Sequence, residues 1–398
     1  MKRNIKNWTR HIDFFFLTAW LMTSAGVALI SLIRFGMDFR GYYAAAQVLL
    51  AGGNPYDYRQ VAEVLKKVTG EMGNNPYYYP PWFAWLFIPV AKLPFQMARS
   101  IWMAFNLILW DVSLWRMGAF INWPATGWKR YAVFLLCTIS FAWITFRYEQ
   151  AGILVFAMLV AAILSLQSEK WFQSGIWLAL LLVKPNITLG VVLGICLWLI
   201  RKGRWRPVLT MTGASFVLLA ISTAVTPDWY KPFFESGFGR GLTVVMDGPG
   251  KIVGTRINTT FLDWMANMGV PATPRMIFYG IFACIAIVLF FIIVLRSQSL
   301  LEVISLSLLI SCAITPYALQ YDYPPLVVTL FWALSLPQSN RAARINALLA
   351  AFVFFVSVWQ PSIAFRYWVV VGLIALVVNA LCRFDISRSR KPRVDCAL

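Results

Sequence analysis

Long apolar runs without a charge, divided by short basic clusters, constrain this chain more than any other feature. Phe14 to Ile33 is twenty residues without Asp, Glu, Lys or Arg, the length a helix needs to cross a bilayer. Further apolar runs, two of them carrying isolated charges, follow at about 97–117, 131–146, 151–167 and 175–200, and again from Val208 onward. Backbone in lipid must satisfy its own hydrogen bonds, so such runs are helices. The expected fold class is therefore all-α: a polytopic membrane bundle of about 11–13 transmembrane helices, some short. Phe14–Ile33 lacks a small-residue cleavage site and reads as a signal anchor. No soluble domain or low-complexity segment interrupts the pattern, so residues 1–398 are expected to form one integral membrane domain.

The net charge of +19, against only 13% charged residues, could suggest a nucleic-acid partner. The positions of the charges exclude it. Lys2, Arg3, Lys6 and Arg10 precede the first run, Arg201, Lys202, Arg204 and Arg206 follow a later one, and Arg383 to Arg393 close the chain. These are cytoplasmic anchors under the positive-inside rule, not one basic face. Both termini are then cytoplasmic, at an inner or plasma membrane. Residues 34–79 and 227–274 become two long outer loops carrying short amphipathic helices. Tyr58–Val68 is one of these, with Val61, Val64, Leu65 and Val68 on one face, as suits a helix on the membrane surface.

Two arrangements fit the middle of the chain. If 82–93 crosses fully, Arg147 and Gln150 are cytoplasmic. If 82–93 is re-entrant and 175–200 is a hairpin turning at Lys184-Pro185, they are outside. The cluster of Arg116, Lys129 and Arg130 in one short loop favours the second.

Polar residues gather where these runs meet the outer loops. Asp38-Phe39-Arg40-Gly41-Tyr42-Tyr43 follows the first run, with Asn54-Pro55-Tyr56 after it. A carboxylate at such an interface is poorly hydrated, which raises its pKa toward that of a general base. Lys184, deep in an apolar run, is costly there and therefore a candidate site residue; Asp111, itself mid-span, is one possible partner. The second loop carries Gly237-Phe238-Gly239-Arg240-Gly241, then Lys251, Arg256 and Asn258. Glycines admit an anion to backbone N–H groups, and arginine grips phosphate in a bidentate manner. Tyr317, Tyr321 and Asp322 form a third cluster. Each has a plainer reading: Asp38 paired with Arg34 or Arg40, the tyrosines as an aromatic belt, the loop cations in water or headgroups. The cysteines show no paired spacing, and the only histidine, His11, precedes the first run, so no metal site is indicated.

Taken together, Asp38 with Tyr42-Tyr43, Leu49 to Tyr56, Tyr79-Pro80-Pro81, Gln150 opening an apolar helix, Lys184-Pro185 upstream of Arg201 to Arg206, and Thr315-Pro316-Tyr317 with Tyr321-Asp322 resemble glycosyltransferase family 87. This family of GT-C fold includes mannosyltransferases of phosphatidylinositol mannoside synthesis. The resemblance implies a GT-C-type bundle and an inverting hexosyltransferase of the cell envelope. Its donor would be a polyprenyl-phosphate sugar, mannose or another hexose or pentose, and its acceptor a membrane lipid or glycan, with no separate cofactor. Asp38 would be the base. Arg40, Tyr42, Tyr43, Asn54, Tyr79, Gln150, Lys184, Asn186, Arg240, Arg256, Asn258, Tyr317, Tyr321 and Asp322 would line the substrate site. Some relatives carry a histidine near Tyr321-Asp322; this chain has none. A lipid or sugar transporter is the alternative, but it should show internal repeats, and none is found. A structural assembly subunit would not need the Asp-Tyr-Tyr mouth.

Overall fold

A computed structural model describes residues 14–34, 38–70, 77–120, 127–235, 260–336 and 341–359. The described residues are almost wholly helical and contain no strand. Helix α1 (Phe14–Arg34) leads to α2 (Phe39–Leu50) and α3 (Tyr58–Thr69). Two one-turn helices follow, α4 (Pro81–Trp85) and α5 (Ile88–Ala91), then the long α6 (Phe95–Phe120) and α7 (Gly127–Tyr148). Next come α8 (Gly152–Gln167), α9 (Trp171–Leu181), α10 (Pro185–Arg201) and α11 (Trp205–Val225). The chain continues through α12 (Phe261–Asn267), α13 (Ala272–Arg296), α14 (Leu300–Ile314), α15 (Leu326–Ser335) and α16 (Arg341–Trp359).

Residues Tyr131–Tyr148 of α7, all of α11 and all of α13 are long and apolar enough to cross a membrane. Helix α11 is mostly uncovered, with Leu209 68% and Phe216 71% exposed. An apolar face of that size is tenable only against lipid. The chain is a polytopic membrane protein.

The structure decides between the two central arrangements. Segment 82–93 is no span: Pro94 and the breaks after Trp85 and Ala91 leave only α4 and α5, tucked beneath α2. Segment 175–200 breaks at Leu182 to Lys184, because Pro185 has no N–H to continue the ladder. Arg204, just beyond α10, reaches Glu169 at 4.0 Å and lies over the Trp171 ring. The start of α9 and the end of α10 are therefore at the same end of the bundle, and Lys184 is at the other. Tyr148 and Asp38 also lie at the Lys184 end.

Small residues line close helix contacts. On α10, Gly190 and Gly194 fall four apart, and a Cβ on either would strike the hydroxyls of Ser311 and Ser307 on α14. Such ridges of small residues let backbones approach where lipid supplies no hydrophobic drive. Helix α3 departs from its expected role at the membrane surface. Val61 and Leu65, 0% and 1% exposed, pack on Ala44 and Val48 of α2, so protein rather than lipid covers the apolar face. Asp57 caps the helix by accepting from the Arg59 N–H at 2.9 Å, and Gly70 ends it at φ 77°.

Candidate functional site

Asp38 stands at the N-cap of α2, a place where aspartate ordinarily caps the helix. Its side chain makes no such bond. Instead its Oδ2 accepts from the Gln150 amide Nε2. Its own backbone N–H donates to the Tyr148 carbonyl at 3.3 Å. Phe39 beside it is fully buried and packs on Phe87, Phe95 and Trp102, which fixes where α2 begins. Asp38 itself remains partly exposed.

Gln150 is the hub. Its Oε1 accepts from the Tyr42 hydroxyl at 2.8 Å, the Tyr79 hydroxyl at 2.7 Å and the Lys184 ammonium at 3.4 Å. A carboxylate accepts only and an ammonium donates only, so these partners fix which way the amide faces. The Tyr42 and Tyr79 hydroxyl oxygens lie 3.1 Å apart. Burial pushes both phenols above their ordinary pKa, with Lys184 partly opposing this at Tyr79. Both therefore stay protonated donors at neutral pH.

Lys184 closes the network with an ion pair to Asp322, not to Asp111 as the sequence allowed. Asp111 accepts from Trp20 Nε1 at 3.0 Å and Ser24 Oγ at 3.2 Å, joining α6 to α1. The ammonium also lies 5.7 Å from the Tyr79 ring and 5.2 Å from the Tyr321 ring. Asp322 accepts from the Leu319 N–H at 2.9 Å, which holds its short 3-10 turn. Gly152 brings that turn against α8: a Cβ there would run into the Tyr321 carbonyl.

The other expected site residues divide. Tyr43 turns away, donating to the Leu93 carbonyl at 2.8 Å. Asn54 is spent on its own loop, accepting from the Tyr56 N–H at 3.0 Å. Tyr56 in turn donates to the Tyr79 carbonyl at 2.6 Å and so supports the site from behind. Asn186 donates to the Tyr317 carbonyl at 3.1 Å, tying the start of α10 to the segment after α14. Arg40 is partly exposed, two residues beyond Asp38. Arg240, Arg256 and Asn258, with Lys251, lie outside the described residues. Among the described residues no three His, Cys, Asp or Glu side chains group as metal ligands.

The sequence did not reveal Arg99 and Glu149. The Glu149 carboxylate, 0% exposed, pairs with Arg99, 12% exposed. Trp102 Nε1 donates to the Glu149 carbonyl at 3.0 Å. Glu149 lies just past the spanning part of α7. Burial pushes its carboxyl up to about 7, Arg99 opposes that shift, and Asp38 adds to it. The polar triplet Tyr148-Glu149-Gln150 at an apolar boundary was the available signal; its partner fifty positions upstream was not.

Residues 77–316 match the model of glycosyltransferase family 87. No curated protein and no solved structure matches the chain.

Proposed function

The chain belongs to glycosyltransferase family 87, and from that premise we propose that it moves a sugar from a polyprenyl-phosphate donor to a lipid or glycan acceptor, with inversion and with Asp38 as general base. The sugar is mannose or another hexose or pentose. The acceptor hydroxyl gives its proton to Asp38 as its oxygen attacks the anomeric carbon. The bond from that carbon to the donor phosphate breaks, and its electron pair leaves with the polyprenyl phosphate.

One observation carries the assignment of Asp38. Of the three carboxylates in this network, Glu149 is buried against Arg99 and Asp322 against Lys184. Asp38 alone is partly exposed, and a base must meet its substrate. Gln150 orients it, and the protonated Tyr42 and Tyr79 hold Gln150. Lys184 has its charge balanced by Asp322, so it serves the network more than an incoming anion. We assign the donor phosphate to Arg40 together with Arg240 or Arg256 of the second long loop. The network occupies one end of the bundle, and the basic Arg201 to Arg206 cluster the other. By the positive-inside rule the Asp38 end faces outward, with both termini cytoplasmic. A polar network gathered at one end of the bundle supports transfer over transport.

The test is a transfer assay with the purified full-length protein and a panel of polyprenyl-phosphate sugars, scored by mass spectrometry and by the anomeric configuration of the product. An inverted glycoside from one donor is expected. Transfer from a nucleotide sugar with no lipid donor present would overturn the reading.

A further inference from the structure

Gln150 owes its place to an unusual turn. Helix α7 ends with the Glu149 N–H donating to the Phe146 carbonyl at 3.1 Å and the Gln150 N–H to the Thr145 carbonyl at 3.1 Å. This is a Schellman ending, whose left-handed residue is ordinarily glycine. Here it is Glu149, at φ 56°. Helix α8 ends in the same way at the opposite end of the bundle. Glu169 sits at φ 56°, and the Lys170 N–H reaches the Ser165 carbonyl at 2.9 Å. The side chains differ in environment. That of Glu169 is 56% exposed and that of Glu149 is 0% exposed. A solvated glutamate in such a turn is bland. A buried one adds the desolvation of a charge to the strain of the backbone.

What Glu149 gains is a position among charges. Arg99 faces it from α6, and Asp38 and Arg40 face it from the start of α2. Trp102, also on α6, holds its carbonyl. Among the described residues, Glu149 Oε2 and Arg99 Nη2 are buried without a hydrogen-bond partner, so the pair is not optimised as a structural clasp. The next residue along is Gln150, whose amide meets Asp38.

We propose that the Arg99–Glu149 pair is a positioning device for transfer: it locks the turn that aims Gln150 at Asp38 and places a second carboxyl beside the base. This rests on the assignment of Asp38 given above. The competing explanation is that Glu149 merely ends a helix, in which case glycine would do better.

The experiment uses the full-length protein in a lipid bilayer. Glu149→Gly supplies the residue the backbone prefers, and Arg99→Met with Glu149→Gly leaves no orphaned charge behind. The double variant should fold, with a Tm at or above that of the parent, yet lose roughly a hundredfold in kcat while the donor KM stays near that of the parent. Glu149→Gln keeps the shape and removes the charge. It also removes a group that titrates near 7 beside Asp38, so its kcat/KM profile should lose the inflection that group causes. A double variant turning over at the parent rate, or a Glu149→Gln profile that overlays the parent's, overturns the proposal. Asp38→Asn in the same assay separates the two readings. If it is inactive while the double variant is normal, the positioning role alone fails. If it turns over normally, the base assignment beneath the proposal has failed.

Discussion

Gln150 donates its side-chain amide to the Asp38 carboxylate across 112 positions of sequence. The bond makes the aspartate that begins α2 dependent on the turn that ends α7. It also explains why Asp38 does not cap its own helix.

Replacing Asp38 with asparagine keeps its shape and removes its capacity to take a proton. Turnover per folded molecule should fall by about 10²–10⁴-fold, while membrane insertion and donor binding persist. Turnover is measured on protein recovered as a single folded species. Near-normal turnover with lowered thermal stability would reduce Asp38 to a structural residue.

Gln150→Glu puts a second carboxylate against Asp38. Like charges at this range raise the pKa of the base, so Asp38 holds its proton to higher pH. The acid limb of the pH–rate profile should move upward. A profile limb that stays in place would show that Gln150 does not face the base during the reaction.

The Lys184–Asp322 pair lies among buried side chains, at 9% and 1% exposure. Lys184→Met should cost about 3–5 kcal/mol, because it strands a buried carboxylate. Adding Asp322→Asn removes that charge and keeps an acceptor for the Leu319 N–H, so most of the lost Tm should return. Activity should not return with it, because Gln150 still lacks its lysine. Thermal unfolding and turnover of the same two variants check both halves.

Sidedness can be read with a single cysteine. Lys67→Cys in an otherwise cysteine-free chain places a thiol on the exposed face of α3. An impermeant maleimide should label it in intact cells. Labelling that requires permeabilisation would reverse the orientation of the whole bundle.

Much of this site was legible because its members are costly where they stand. Lys184 in an apolar run, Gln150 at the mouth of a helix and Asp38 at the end of another each announce a polar duty in lipid, and the structure brings them together. Tyr42 and Tyr43 are adjacent and look equivalent, yet only Tyr42 turns toward Gln150 while Tyr43 serves the Leu93 carbonyl. Helical spacing sends neighbours to different faces, and the sequence alone does not say which face meets the site. Partner choice was illegible too. Asp111 and Asp322 were both available to Lys184, and the distinction lies in the Gly152 contact that draws the Asp322 turn inward. The Gly190 and Gly194 ridge was present in the sequence as a spacing of four, readable once a helix partner rich in serine is known.

The shortness of two helices has a consequence for where the reaction happens. Helices α8 and α10 connect the basic end of the bundle to the site in 16 and 17 residues, about 24–26 Å of rise. The hydrocarbon of a bilayer is about 30 Å thick. With Arg201 and Arg204 in one headgroup layer, helices of this length would hold Gln150 and Lys184 a few ångströms below the other. On the assignment of Asp38 proposed above, bilayer thickness then becomes a variable of the catalysis. Thicker lipid submerges the mouth and obliges a hydroxyl to descend to it, whereas thinner lipid lifts the mouth toward water.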